Sequence, residues 1–205
     1  MIFDIIRIRE LAGLVKLNEQ SLPMDVESRM KRAKELGFVY RAYHGTRSEI
    51  NAFDLSKSGS SNPTKKGFLE PKAIWAAENP SVGVFFSGGD PLGLPRRNED
   101  GGITIPLLVR FDNPYTAIMK DEAKRYYSDT YITHREHGIM FDINPVKEAV
   151  VGLAMDKGHD GVIFKGGYDG WVANGDVYAI FNPKNIRSIY ARFDPDHIED
   201  TDLMA

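Results

Sequence analysis

Apolar side chains near the start of the chain recur at helical intervals. Between residues 1 and 19 they return every three or four positions, which predicts an amphipathic helix that packs on the domain or on a partner. A second, shorter helical pattern follows, with Ser21 or Asp25 as its N-cap and Gly37 as its terminator. We therefore expect a helical segment at residues 1–38.

After this segment the pattern changes to short apolar runs separated by turn residues, which is typical of strands. Strands are expected from Val39 to a polar cluster at 44–46, then at 73–77, 103–118 with a proline-broken turn, 161–165, 177–181 and 186–193. Helices are expected after an N-cap at Asn79 or Ser81, at 120–127 and at 145–157. This order favours an α+β fold with a mainly antiparallel sheet and flanking helices, and not a regular βαβ array.

Three details give further expectations. Pro106, inside a strand run, indicates an edge position or a bulge. Residues 39–193 form the domain, and residues 194–205 form an acidic tail that is expected to fray except at its last apolar residues. The second helix carries a basic run that predicts a solvated face: Arg29, Lys31, Arg32 and Lys34.

Composition excludes several classes of protein. The 205 residues suit one domain with an appendage, and the net charge of -3 gives no general attraction to nucleic acid or to an anionic membrane. There is no cysteine, so disulfides, thiolate catalysis and cysteine zinc sites are excluded. Charged residues interrupt the apolar N-terminus, so no signal peptide is expected. These features suit a cytoplasmic protein, or one exported or injected into the cytoplasm of a target cell.

The familiar catalytic and phosphate-binding motifs are absent. The chain has no GxxxxGK[ST], GxGxxG, HExxH or GxSxG pattern. His134 and His137 are three residues apart but lack a third ligand nearby, so no metal site is predicted. The sequence His159-Asp160-Gly161 is interpreted as a turn into a strand.

A histidine, a glycine and a hydroxyl residue stand together where the first strand ends. His44-Gly45-Thr46 has two readings from the local sequence. It is either a solvated strand end with a turn glycine, or a ligand site in which the glycine lets a ligand approach the backbone.

Further motifs along the chain decide between these readings. "YHGT" at 43–46 is followed by "HDGV" at 159–162, "VYAIFNP" at 177–183 and "IRS" at 186–188. In this order they resemble the ADP-ribosyltransferase fold of the histidine (H-Y-E-like) class, most closely its phage-associated and polyvalent-protein branch. The similarity runs from about Ser28 to Ala205, and it implies a sheet that is split into two parts.

The resemblance implies a site for NAD, which is the substrate of these enzymes. His44 would bond the adenosine ribose and Gly45 the nicotinamide amide, with help from Thr46. Aromatic residues of the segment after the second strand would stack on the nicotinamide. Candidates for this role are Trp75, Phe85 and Phe86, each of which also suits the core.

The expected acid differs from the family pattern. Many members have glutamate at the entry of the last motif strand, where this chain has Gly175-Asp176-Val177. Asp176 is the nearest carboxylate, although its arm is one methylene shorter. Asp169 and Glu78 are the other candidates. Many members have a further acidic residue or glutamine two positions before the acid, where this chain has Asn174.

Together these features predict an NAD-dependent ADP-ribosyltransferase that acts on a macromolecular acceptor, a protein in preference to a nucleic acid. Such an enzyme would suit a phage-derived or secreted effector, or a toxin. Two alternatives remain: a catalytically inactive NAD- or nucleotide-binding module, and a phage structural or interaction protein with a partner on its N-terminal helix. No membrane partner and no metal are expected.

Overall fold

The computed structural model describes residues 22–58, 72–88, 102–126, 144–166 and 175–205. The helices within these residues are α1 (Val26–Glu35), α2 (Pro80–Phe86), α3 (Met119–Tyr126) and α4 (Asn144–Asp156). The strands are β1 (Tyr40–Thr46), β2 (Ile74–Ala77), β3 (Ile103–Val109), β4 (Pro114–Ile118), β5 (Gly161–Lys165), β6 (Val177–Ile180) and β7 (Ile186–Ser188).

The seven strands form a mixed sheet in the order β4-β5-β6-β2-β1-β3-β7. Among the described strands only β4 and β5 run parallel; the other neighbours are antiparallel. The α+β prediction is therefore confirmed. β1 and β3 are paired along their full length, whereas β1 and β2 share a single registered pair, Tyr43 with Ala77. The sheet is thus weakly joined at this boundary.

Hydrophobic clusters cover the two faces of the sheet. One cluster lies beneath α2 and α4 and includes Ala77, Val82, Val146, Val150, Phe164 and Val177. The other includes Ala42, Ile74, Leu107, Tyr178, Ile180 and Leu203. Because strand side chains alternate between faces, residues of β2 and β6 contribute to both clusters in turn.

Helix α1 begins and ends where the sequence predicts, but its basic face is not free in solvent. The Asp25 carboxylate accepts the N–H of Ser28 at 2.9 Å, and Gly37 has the left-handed φ of 83° that ends many helices. Arg29 is buried and donates to the carbonyl of Ile189 at 2.6 Å. The prediction of a solvated basic face is therefore wrong for Arg29, because its guanidinium holds α1 against the turn after β7.

Pro106 lies in a strand that is not an edge of the sheet. β3 is placed between β1 and β7, but β7 ends at Ser188, opposite Leu107. Pro106 therefore lies just past the end of its neighbour, where its missing N–H breaks no ladder bond. The predicted strand at 186–193 is too long for the same reason, since the chain turns away after Ser188.

The sequence His159-Asp160-Gly161 has a structural role, as predicted. The Asp160 carboxylate accepts the N–H groups of Asp112 and Asn113 at 2.6 and 3.1 Å and so fixes the turn between β3 and β4. A side chain at Gly161 would collide with the ring of Phe111. These contacts anchor the start of β5.

The acidic tail makes ordered contacts beyond its last apolar residues. Leu203 is buried in the core, its N–H bonds the carbonyl of Asn51, and its carbonyl accepts the N–H of Ser188. The buried guanidinium of Arg187 donates to several backbone carbonyls: Lys184, Ile186, His197, Ile198 and Asp200. Burial of Leu203 agrees with the expectation for the last apolar residues. The expectation of fraying is wrong for residues 197–200, because the bonds from Arg187 reach 10 to 13 residues along the chain and leave no local signal.

Some predictions fall outside the described residues. They are the helix at 1–19, most of the two loops at 55–72 and 88–102, the histidines at 134 and 137, and the candidates Asp169 and Asn174. In the part of the chain that is described, no helix is long and apolar enough to cross a membrane.

Candidate functional site

The backbone of Gly45 faces a gap between β1 and β2. Ile189 donates its N–H to the carbonyl of Pro106, so the backbone polar groups of Pro106 point toward β7. The residue that faces it across the antiparallel ladder, Tyr43, directs its N–H and C=O toward β2. Gly45, two residues further, has the same orientation. The β1–β2 ladder contains only the Tyr43–Ala77 pair. The backbone N–H and C=O of Gly45 therefore point into the space where the two strands separate.

His44 lies at the same gap and is held in one tautomer. Its Nδ1 lies 2.7 Å from the carbonyl oxygen of Trp75 on β2. A carbonyl only accepts, so Nδ1 carries the proton, and Nε2 of the neutral ring is an acceptor. Burial lowers the pKa of His44 below its usual value, and the bond to the Trp75 carbonyl opposes this shift. Phe53 packs edge-on against the ring at 4.8 Å between centroids.

Gly45 is also required by the packing of α2. A Cβ at this position would meet the carbonyl oxygen of Gly83 and lie 2.6 Å from the backbone nitrogen of Ser87. The helix backbone, and not only a ligand, therefore approaches this glycine closely. Thr46 has a local role as well, because its hydroxyl donates to the carbonyl of Ser48 and accepts the N–H of Ser48.

Asp176 and Glu78 lie side by side at the ends of β6 and β2. The N–H of Glu78 donates to the carbonyl of Asp176 at 2.8 Å. The N–H of Asp176 in turn donates to Oε2 of Glu78 at 3.1 Å. The Asp176 carboxylate forms an ion pair with Nζ of Lys165, the last residue of β5. Two carboxylates and one ammonium group are thus brought together.

His44 and Asp176 share one face of the sheet. Tyr43 pairs with Ala77 and Ala77 pairs with Val177, so these three side chains point to the same face of the sheet. The residues next to them in each strand point to the opposite face. These residues include His44, Asp176 and the buried Tyr178. Burial raises the pKa of the Tyr178 phenol, and the nearby charges of Asp176 and Glu78 raise it further. β1 and β6 flank β2, so the two site residues come from strands about 10 Å apart.

The aromatic candidates occupy different places. Trp75 stacks on Phe164 at 5.8 Å and packs with the cluster on the face opposite Asp176. Its side chain is therefore not brought together with the carboxylate. Phe86 is exposed at the end of α2 and packs edge-on against Phe85. Helix α2 itself lies against Gly45.

Sequence reasoning missed Lys165. β5 and β6 pair antiparallel with Phe164 opposite Val177, so the next residues outward, Lys165 and Asp176, face each other. The lysine could have been identified by pairing the two predicted strands as antiparallel neighbours, which places Lys165 opposite Asp176. No cluster of histidine, cysteine, aspartate and glutamate able to hold a metal ion occurs within the described residues.

A family model described as ADP-ribosyltransferase in polyvalent proteins matches residues 35–193. The chain therefore belongs to this family of ADP-ribosyltransferases, and the resemblance drawn from its motifs is confirmed. The matched region contains all seven strands, His44-Gly45 and Asp176. Comparisons with curated proteins and with solved structures gave no match.

Proposed function

We propose that the protein transfers ADP-ribose from NAD to a macromolecular acceptor. The observation that carries the proposal is the opening between β1 and β2 at His44-Gly45, in a chain of the ADP-ribosyltransferase family. A protein acceptor is favoured over nucleic acid because the net charge of -3 offers no general attraction to phosphates. An effector that works in the cytoplasm of a target cell is the setting that we propose.

The groups at the opening fit the two ends of NAD. The nicotinamide carboxamide has one acceptor and a donor pair, which complement the N–H and C=O of Gly45. Nε2 of neutral His44 is an acceptor suited to a ribose hydroxyl. Phe86 lies on the helix next to Gly45 and is the aromatic candidate that is exposed for stacking on a ring.

Asp176 fits the chemical step. Breaking the bond between the ribose C1′ and the nicotinamide nitrogen leaves positive charge on the sugar, and nicotinamide departs as a neutral ring. The acceptor then bonds to C1′ and loses a proton. A carboxylate held near the sugar stabilises the developing charge, and one such preorganised group contributes about 3–4 kcal/mol. Asp176 is the carboxylate at the start of β6 on the His44 face.

The test is a comparison of Asp176→Asn with the parent protein, using labelled NAD and cell lysate as the source of acceptors. We expect transfer to fall about a hundredfold or more while the Kd for NAD changes little, because the interaction grows mainly in the transition state. Asp176→Glu should keep or raise activity if the longer arm suits the site. Asp200→Asn is the matched control, since its carboxylate pairs with His197 in the C-terminal segment.

Unchanged transfer in both Asp176 variants would contradict this assignment. A parent protein that binds NAD but releases no nicotinamide would instead support the inactive binding module. The shorter aspartate arm is the feature that favours that second candidate.

A further inference from the structure

The Asp176 carboxylate is held by a lysine that lies outside the four motifs on which the family resemblance rests. Lys165 Nζ donates to Oδ2 of Asp176, and the two residues close the outer end of the β5–β6 pair. The Asp176 side chain is only 19% exposed, whereas that of Lys165 is 49% exposed. The carboxylate is therefore the less solvated partner and depends more on the contact.

The backbone of Asp176 is fixed separately from its side chain. Glu78 receives the N–H of Asp176 with its carboxylate and donates its own N–H to the Asp176 carbonyl. These two bonds set the position of the Cα atom but leave the torsion of the side chain free. The ammonium of Lys165 is the contact in the described residues that selects the direction of the carboxylate.

We propose that Lys165 is a positioning residue that orients the Asp176 carboxylate for ADP-ribose transfer; this inference rests on the proposed function. An aspartate has a shorter arm than the glutamate of many family members, so its reach depends more strongly on one rotamer. A misplacement of about 1 Å in a catalytic group can lower a rate about a hundredfold. A fixed partner for the carboxylate therefore has a direct effect on the reaction.

A purely structural ion pair would give a different result. Half-exposed ion pairs contribute little to stability, because side-chain entropy and solvent screening offset the attraction. The chain contains a more exposed pair for comparison: Lys184 and Glu199, joined at 3.0 Å, with side chains 39% and 72% exposed. A purely structural role predicts that loss of either lysine leaves kcat near the parental value, whatever the change in Tm, whereas a positioning role predicts a fall in kcat for Lys165 alone.

The experiment compares Lys165→Met, Lys165→Arg and Lys184→Met in the full chain. For Lys165→Met we expect kcat for nicotinamide release from NAD to fall about tenfold to a hundredfold, with KM and Tm close to those of the parent. Lys165→Arg keeps the positive charge and should recover most of the rate. Lys184→Met should match the parent in every measurement.

Three results would overturn the proposal. The first is a parental kcat in Lys165→Met. The second is an increased kcat in Lys165→Met, which would make Lys165 an inhibitory partner. The third is a fall in kcat in Lys165→Met that Lys165→Arg does not recover. A parent protein that never cleaves NAD would remove the proposed function together with this role. An active parent with an insensitive Lys165→Met would remove only the role of the lysine.

Discussion

The imidazole of His44 combines a structural bond with a free acceptor. Nδ1 is committed to the Trp75 carbonyl, so a ligand meets only Nε2. Burial favours the neutral ring and lowers the pKa of His44. The orientation and the charge state that a ribose hydroxyl would require are therefore already present in the protein without a ligand.

The affinity for NAD should decrease in acid because of His44. In the folded protein the pKa of His44 lies below its usual value of 6.5. The ring therefore stays mostly neutral at and above pH 6.5 and gains a proton only as the pH falls further. Protonated Nε2 no longer accepts a hydrogen bond. Calorimetric titration with NAD between about pH 5 and pH 8 should show a constant Kd at the upper end and weaker binding below the folded pKa.

His44→Gln is the control for this titration, since it removes the ionisable group and keeps a polar side chain. Its NAD affinity should be lower than that of the parent at neutral pH and should vary less with pH. An equal acid dependence in both proteins would assign the effect to another group.

Local motifs indicated part of the candidate site, because they mark strand ends. His44, Gly45 and Asp176 were identified from short motifs, but their family roles are still predictions. Lys165 was not identified, because its importance depends on the pairing of β5 with β6. The distribution of Trp75 and Asp176 over opposite faces likewise follows only from the register.

Helix α2 and strand β1 are in contact through two glycines. Gly45 faces the Gly83 carbonyl, and Gly83 in turn has no room for a side chain beside Thr104. Both glycines are needed for the close approach of the helix. The capping residue Asn79, which accepts the N–H of Ser81 at 3.0 Å, sets where α2 begins, as the sequence predicted.

Gly45→Ala should therefore destabilise the fold, and not only weaken the binding of NAD. Overpacking of this kind typically costs about 1–3 kcal/mol in the free energy of unfolding, which urea denaturation measures. Gly152→Ala on α4 is the matched control, since an added Cβ would point into open space and contact no described atom outside its own helical turn. That change should stabilise the protein by about 0.5–1 kcal/mol because glycine disfavours a helix.

Parental stability of Gly45→Ala, combined with a loss of NAD affinity, would show that only the ligand requires this glycine. The close packing of α2 against β1 would then be wrong.

The two halves of the sheet supply different parts of the site. β7, β3 and β1 bring His44 and Gly45, while β2, β6, β5 and β4 bring Glu78, Asp176 and Lys165. The halves are joined through the single Tyr43–Ala77 pair, so the opening that we propose for NAD is a consequence of the topology. Strand composition predicted the class of fold, but long-range contacts such as Leu203 with Asn51 could not be read from local patterns.

The most direct measurement of the central claim is a mass balance with NAD that is labelled separately in nicotinamide and in adenosine. After incubation of the parent protein with cell lysate, we predict that free nicotinamide and adenosine label bound to macromolecules appear in equal amounts, and that both decrease in Asp176→Asn. Intact NAD after incubation would contradict an enzymatic role. Free nicotinamide without labelled macromolecules would show that water is the acceptor and would contradict transfer.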